Sequence, residues 1–179
     1  MKRTIAAALA AALLLITTGC TSVNIDSYRD TEPALVLEDF FAGETTAWGI
    51  VLDRKGEMKR RFRADIQGTV TDTGMVLDER FTFDDGEEST RVWTLERQGP
   101  ERWTGRADDV VGEAEGTIRG SVLNWRYRLR LPYKGDTVTV ALDDWMYMHP
   151  DGVLFNRAVM SKFGFRVGEI IIVFQRQES

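Results

Sequence analysis

The chain has 179 residues, with 23 Lys and Arg against 28 Asp and Glu, one Cys and one His. One Cys cannot form an internal disulfide and one His cannot build a multi-histidine metal site, so these counts exclude disulfide scaffolds, zinc fingers and His-rich zinc hydrolases. The net charge of −5 argues against a nucleic-acid partner, because proteins that bind nucleic acids normally carry a basic surface.

The N-terminus has the pattern of an export signal. A short basic start, residues 1–3, precedes an apolar run over residues 5–16, which has the length of a signal-peptide core and is too short to span a membrane. The sequence TTGC at 17–20 follows and resembles a bacterial lipobox, in which the Cys is lipidated and becomes the mature N-terminus. We therefore predict a signal peptide over 1–19 and lipidation at Cys20; the alternative is an ordinary signal peptide with a chance Cys.

Lipidation would make the membrane a partner of this chain, because two or three acyl chains hold a protein at a bilayer surface. Thr21 stands where the inner-membrane retention signal of bacterial lipoproteins would place Asp. The resemblance to that sorting rule implies the periplasmic face of the outer membrane.

The mature chain is predicted to contain one domain. Residues 20–33 are polar and are predicted to form a tether between the lipid and a domain over 34–179. The apolar segment Leu35 to Phe41 is predicted to form a short helix or plug, which could cover the last strand. A domain of this size buries a sizeable core without disulfides or metals.

Turns dominate the rest of the sequence. Nine glycines lie in polar clusters separated by 8 to 18 residues, with strand-forming residues between them. Such spacing is typical of an antiparallel all-β protein and predicts about ten strands. The glycines are Gly56, Gly74, Gly86, Gly99, Gly112, Gly120, Gly135, Gly152 and Gly168.

Alternation of apolar and polar residues supports the strands and assigns their faces. It extends over residues 59–70, 123–131 and 138–148, where every second side chain is apolar. One-sided burial fits an antiparallel sheet and excludes a parallel α/β core. A meander of about ten strands leaves exposed edges unless it closes, so we predict an up-and-down, lipocalin-like barrel, with a two-sheet sandwich as the alternative.

Several motifs strengthen this expectation. The sequence resembles a family of uncharacterised proteobacterial lipoproteins expected to have a lipocalin-like or calycin-like barrel, although the Gly-x-Trp of true lipocalins is replaced by Trp48-Gly49. The resemblance implies a barrel fold and no settled activity. The motifs that carry it are AWGIVLDRKG (47–56), ADDVVGEAEG (107–116), NWRY (124–127), DDWMY (143–147) and NRAVMSKFG (156–164).

Two carboxyl groups fall on faces that are otherwise apolar. Asp144 interrupts the apolar face of residues 138–148, and Glu79 interrupts that of residues 75–83. A buried carboxylate requires a partner, and Arg91 or Lys162 could supply it. The functional interpretation is a cavity in which these groups orient a ligand head group; the structural alternatives are an internal salt bridge or a bulge that turns the side chain outward.

The predicted ligand site combines an apolar wall with a few polar groups. The candidate ligand-binding residues are Glu79, Arg91, Trp93, Trp125, Tyr127, Asp144, Met146, Asn156 and Lys162. The predicted wall consists of Phe62, Ile66, Leu77, Phe81, Trp93, Trp125, Leu129, Val140, Leu142 and Met146.

Three functions are compatible with the sequence. The first is a non-catalytic lipoprotein that binds an apolar or lipid-like small molecule, which requires a cavity larger than about 300 Å³. The second is a structural or assembly lipoprotein with a filled barrel and a protein partner of unknown identity. The third is an isomerase or hydrolase that uses Asp144 and a Tyr or Lys. No P-loop, Rossmann or Gly-x-Ser-x-Gly motif is present, so no cofactor is predicted, no metal site is predicted and no catalytic residue is assigned.

Overall fold

The protein folds as a closed antiparallel barrel. The computed structural model describes residues 23–133 and 135–177, so the predicted signal peptide and Cys20 lie outside the described residues. In this part of the chain ten strands pair in sequence order, and the first pairs with the last. The strands are β1 (Gly43–Asp53), β2 (Met58–Val70), β3 (Gly74–Phe83), β4 (Glu88–Arg97), β5 (Arg102–Arg106), β6 (Ala114–Arg119), β7 (Val122–Tyr133), β8 (Asp136–Met148), β9 (Val153–Lys162) and β10 (Phe165–Arg176).

The predicted alternation is the reason why these segments form one-sided strands. On β8, Val140 and Leu142 are buried while Thr139 and Ala141 are exposed. Because β1 pairs with β10, no sheet edge is left between the first and last strands. The closed all-β barrel is confirmed, and the two-sheet sandwich is wrong.

One end of the barrel is closed by a short helix, α1 (Leu37–Phe41). Its side chains Leu37, Phe40 and Phe41 are buried, and the Phe41 ring meets the ring of Phe174 on β10 edge-on at 5.7 Å. The plug interpretation is therefore correct, but the helix does not cover the outer face of the last strand. Ile171, on that outer face, remains 39% exposed.

The described part of the predicted tether is packed on the barrel wall. A 3-10 helix, Ile25–Tyr28, brings the Tyr28 ring to 6.3 Å from Trp145 and 6.0 Å from Tyr147, between ring centroids. Thr31 accepts a hydrogen bond from the backbone of Ser121. The sequence pattern did not predict this contact, because a single aromatic residue in a polar segment produces no periodic signal. Trp145, which points outward from β8, is only 7% exposed as a result.

The turn between β9 and β10 lies earlier than predicted. Gly168 is within β10, at an irregularity opposite β9, and the turn is formed by Phe163 and Gly164. A Cβ at Gly168 would lie 2.7 Å from the backbone oxygen of Leu52, so this glycine is required by close packing against β1.

Over the described residues, no helix combines the length and the apolar character that crossing a bilayer requires.

Candidate ligand-binding site

A cavity of about 660 Å³ occupies the interior of the barrel. The lining residues at the end opposite α1 include Glu87, Ser89, Arg130 and Pro132, which are exposed. This end is therefore the mouth of the cavity. The volume lies well within the range of small-molecule sites, roughly 300 to 1,000 Å³.

Aromatic rings form much of the cavity wall. Trp93 meets Trp125 edge-on at 5.8 Å between ring centroids and meets Tyr127 at 5.4 Å. Near the mouth, the rings of Phe62 and Phe81 lie 5.6 Å apart. Edge-to-face contacts of this kind hold the rings in place, so the wall is pre-formed.

Glycines in the wall make room for these rings. The indole of Trp125 covers Gly105 on β5 and Gly116 on β6, where a Cβ would lie 2.6 Å and 2.4 Å from ring carbons. Phe62 covers Gly49 in the same way, at 2.1 Å. The large rings therefore lie against the backbone of neighbouring strands, and the centre of the barrel stays open.

Five polar side chains, here called the polar belt, line the cavity: Glu79, Arg91, Tyr127, Asp144 and Asn156. They come from β3, β4, β7, β8 and β9. Each shares the inward parity of an apolar strand face, as the alternation predicts for Glu79 and Asp144. Neither carboxyl group is turned outward by a bulge.

The Arg91 guanidinium is held by an acid that the sequence analysis did not select. Asp109 accepts hydrogen bonds from Nε at 2.9 Å and from Nη2 at 2.7 Å of Arg91. Glu79 lies farther away, with Oε2 3.7 Å from Nη1, beyond hydrogen-bonding distance. The predicted Glu79–Arg91 neighbourhood is present, but Arg91 is neutralised mainly by Asp109, which the loop after β5 carries.

Asp144 lies beside Tyr127 and Asn156. The Tyr127 hydroxyl donates to Oδ2 of Asp144 over 3.4 Å, a long hydrogen bond. Oδ1 of Asp144 and both polar atoms of the Asn156 amide are buried and meet no hydrogen-bond partner in the described residues. Asn156 is 2% exposed and Asp144 5% exposed.

Burial favours the protonated forms of the belt acids. It raises the pKa of Asp144 to about 8, against the lowering effect of the Tyr127 hydrogen bond. It also raises the pKa of Glu79 to about 7, although Arg91 opposes this. Burial raises the pKa of Tyr127 well above its usual value, so its hydroxyl remains a donor.

The mouth carries its own ionic contacts. Arg60 donates to Asp85 and Glu87, each at 2.8 Å, and its guanidinium lies 3.6 Å from the centroid of the Phe83 ring. These contacts connect β2 to the β3–β4 hairpin at the rim. Strand alternation alone does not identify Arg60 as the partner of these two acids.

Most of the predicted residues meet in one place. Eight of the nine candidate ligand-binding residues line the cavity, and Lys162 does not. Lys162 has the inward parity of β9 but lies at the hairpin beyond the cavity, with Nζ 5.5 Å from the Phe163 ring centroid. It therefore cannot partner either buried acid.

The predicted wall is correct with two exceptions. Val140 and Leu142 are buried in the core without lining the cavity. Alternation could not identify the lining residues Ile170, Ile172 and Phe174, because the last strand is apolar on both faces.

The belt combines carboxyl, amide, phenol and guanidinium groups, which suits recognition of a polar head group by hydrogen bonds. Within the described residues, no group of three or more His, Cys, Asp or Glu side chains is arranged to hold a metal ion.

The barrel is similar to a solved structure. An S-type phycobiliprotein lyase, CPES, from Guillardia theta is 11% identical, and the match covers 81% of this chain and 94% of that chain with a TM-score of 0.59. At this identity the likeness shows the fold alone, a lipocalin-like barrel. No curated protein matches the chain.

The family is shown by sequence. The profile of one family matches residues 14–176, which is most of the chain. The protein therefore belongs to the family described as "Protein of unknown function (DUF3833)".

Proposed function

We propose that the protein binds an apolar or lipid-like small molecule inside the barrel, without chemistry. The observation that carries this proposal is the cavity of about 660 Å³, lined by aromatic and aliphatic side chains around one polar belt. An apolar group that enters it leaves water, which contributes roughly 25 cal/mol per Å² of buried surface. The polar belt would orient the head group.

The hollow barrel favours this function over the assembly alternative. A structural lipoprotein with a filled barrel would have side chains where the cavity lies. Here Gly105 and Gly116 let Trp125 lie against the wall, and Ala64 and Ala158 add small side chains to the lining. The interior is therefore built to remain open.

A pair of matched substitutions tests the proposal. Ala158 is buried on β9 and lines the cavity, whereas Ala141 is exposed on β8. We expect Ala158→Phe to abolish binding of the neutral dye Nile red, and Ala141→Phe to leave it unchanged. Quenching of Trp93 and Trp125 fluorescence by the dye gives a second readout. Equal binding by the two variants would place the dye outside the barrel and contradict the proposal.

The natural ligand requires a direct measurement. Native mass spectrometry of protein purified in mild detergent, without delipidation, should detect a bound small molecule. The same measurement on Ala158→Phe should show its loss. A protein partner in fixed ratio, with no small molecule, would instead support the assembly alternative.

We also propose that Cys20 is lipidated and holds the protein at the periplasmic face of the outer membrane. The TTGC sequence behind the apolar run and Thr21 in place of Asp support this. We expect Cys20→Ser to release the protein from the membrane fraction and Thr21→Asp to move it to the inner membrane. Membrane retention of Cys20→Ser with an intact, cleaved N-terminus would contradict the lipid anchor.

A further inference from the structure

The unused hydrogen-bonding capacity of the polar belt points to the chemistry of the ligand. Oε2 of Glu79, Oδ1 of Asp144 and the amide of Asn156 meet no hydrogen-bond partner among the described residues. These residues are only 9%, 5% and 2% exposed, and all line the cavity. A buried polar atom without a partner is unfavourable, so an arrangement of several favours a ligand that satisfies them.

The positive charge of the belt is already neutralised. Arg91 directs Nε and Nη2 to Asp109, and its Nη1 faces Glu79. An anionic head group would therefore meet Asp144 and Glu79 without a free cation to compensate its charge. Burying such an unpaired anion is strongly unfavourable.

The other cationic lining residues lie at the mouth. Arg60 is engaged by Asp85 and Glu87, and Arg130 donates to the carbonyl of Asp108 and is exposed. Neither reaches the level of the belt. In the part of the chain that the structure describes, the interior thus presents three carboxyl groups, those of Glu79, Asp109 and Asp144, and the Asn156 amide to a ligand, but no unpaired cation at the level of the belt.

Aromatic rings stand beside these acceptors. Trp93 contacts both Trp125 and Tyr127, and the Tyr127 hydroxyl reaches Asp144. Aromatic faces attract cations, most strongly where water is excluded. Carboxyl acceptors next to three aromatic rings are the groups that recognise an ammonium ion.

We infer that the polar belt binds the ammonium group of an amphiphilic amine, whose apolar chain lies along the wall toward the mouth. This inference rests on the proposed ligand-binding function and specifies its ligand class. An ammonium group would donate to Asp144 Oδ1, Glu79 Oε2 and the Asn156 carbonyl oxygen. Amphiphiles with carboxylate or phosphate heads would be rejected.

The inference predicts that binding releases protons. Burial raises the pKa of Asp144 to about 8 and that of Glu79 to about 7, so near neutral pH both acids carry protons much of the time. A bound ammonium group favours their ionised forms and lowers both pKa values. Protons would then leave the site as the amine binds.

Three probes of one chain length test the inference: decylamine, decanol and decanoate. In competition with Nile red, we expect decylamine to bind at least about tenfold more tightly than decanol, and decanoate to bind most weakly. Titration calorimetry near neutral pH, in two buffers of different ionisation enthalpy, should show proton release with decylamine alone. Binding of decanoate as tight as that of decylamine would overturn the inference.

Matched variants assign the effect to the belt. Asp144→Asn should weaken decylamine about tenfold, reduce proton release and leave decanol unchanged. Glu96→Gln, at an exposed acid on the outer face of β4, should change none of these values. Asp109→Asn should strengthen decanoate because it frees Arg91. If Asp144→Asn does not fold, Glu79→Gln provides the second test, and unchanged decylamine binding by the folded variant contradicts the inference.

The two proposals can fail separately. If neither Nile red nor any of the three probes binds inside the barrel, the ligand-binding function itself is wrong. If Nile red and decanol bind but decylamine has no advantage, only the amine specificity is wrong.

Discussion

Asp109, on the loop that follows β5, holds the guanidinium of Arg91 on β4 through both Nε and Nη2. Burial works against the charge of Arg91, but the hydrogen bonds with Asp109, together with the charges of Glu79, Tyr127 and Asp109, keep its pKa above the usual value. The pair thus holds the loop after β5 against the cavity. It also leaves the charge of Arg91 neutralised.

Asp109→Asn should destabilise the protein, because it leaves Arg91 partly buried without its main counter-charge. The Asp109 side chain is 36% exposed, so solvent screens part of the effect, and we expect a loss of about 1 to 3 kcal/mol in the free energy of unfolding. Urea denaturation measures it. Asp108→Asn, at the exposed neighbouring acid, is the control and should change the free energy little; equal effects of the two substitutions would contradict the pairing.

Stability should fall as the pH rises from about 4 to about 8. Asp144 and Glu79 have ordinary pKa values of 3.8 and 4.5, and burial raises them to about 8 and about 7. Over this range the unfolded chain loses these protons while the folded chain keeps them, so the contribution is complete at low pH and is lost through the folded-state pKa values. Thermal unfolding at a series of pH values measures the slope.

Asp144→Asn should flatten that slope and stabilise the protein at alkaline pH by about 1 to 3 kcal/mol, since an amide needs no ionisation. Glu96→Gln, at an exposed acid on the outer face of β4, provides the control. If the stability of Asp144→Asn depended on pH as steeply as that of the wild type, the Asp144 carboxyl group would not have the raised pKa on which this prediction rests.

Gly68→Ala should loosen the closed end of the barrel. A Cβ at Gly68 would lie 1.7 Å from the carbonyl oxygen of Phe41, so α1 would have to move. Overpacking of this kind costs about 1 to 3 kcal/mol. Calorimetric unfolding measures the loss, and Thr69→Ala, at the exposed neighbour, should leave the midpoint nearly unchanged.

Phe163→Asn should stabilise the β9–β10 hairpin. Phe163 has φ of +52°, which is unfavourable for an aromatic side chain, and its ring is 89% exposed, so little packing is lost. Asn followed by Gly164 suits this turn, and we expect a gain of about 0.5 to 1 kcal/mol. Phe165→Asn removes a similarly exposed ring without relieving φ. An equal gain from that substitution would show that loss of an exposed ring, and not relief of φ, causes the effect.

Strand periodicity was sufficient to predict the barrel and most of its lining. A polar residue on an apolar face is a local signal, so Glu79 and Asp144 could be found from their own strands. Partners across the barrel could not be found in this way. Asp109 lies in a loop, and its approach to Arg91 depends on how that loop folds back. Lys162 shows the opposite error, because its parity is inward while its position along the strand places it beyond the cavity.

The contact between Tyr28 and Trp145 also could not be predicted from the sequence pattern. A single aromatic residue in a polar segment has no periodicity, and the outward face of β8 shows its matching surface only when the barrel is closed. The open interior was likewise unpredictable, because cavity volume depends on how the large rings lie against the small residues of neighbouring strands.

The packing of Trp125 against the barrel wall sets the width of the cavity. Because the indole rests on two hydrogens, those at the Cα of Gly105 and Gly116, a single methyl group at either position would push a nine-atom ring toward the axis. The capacity of the barrel is thus controlled from β5 and β6, by positions that need never contact the occupant. Alanine at one of these positions, or at both, would narrow the cavity stepwise without changing any side chain that lines it.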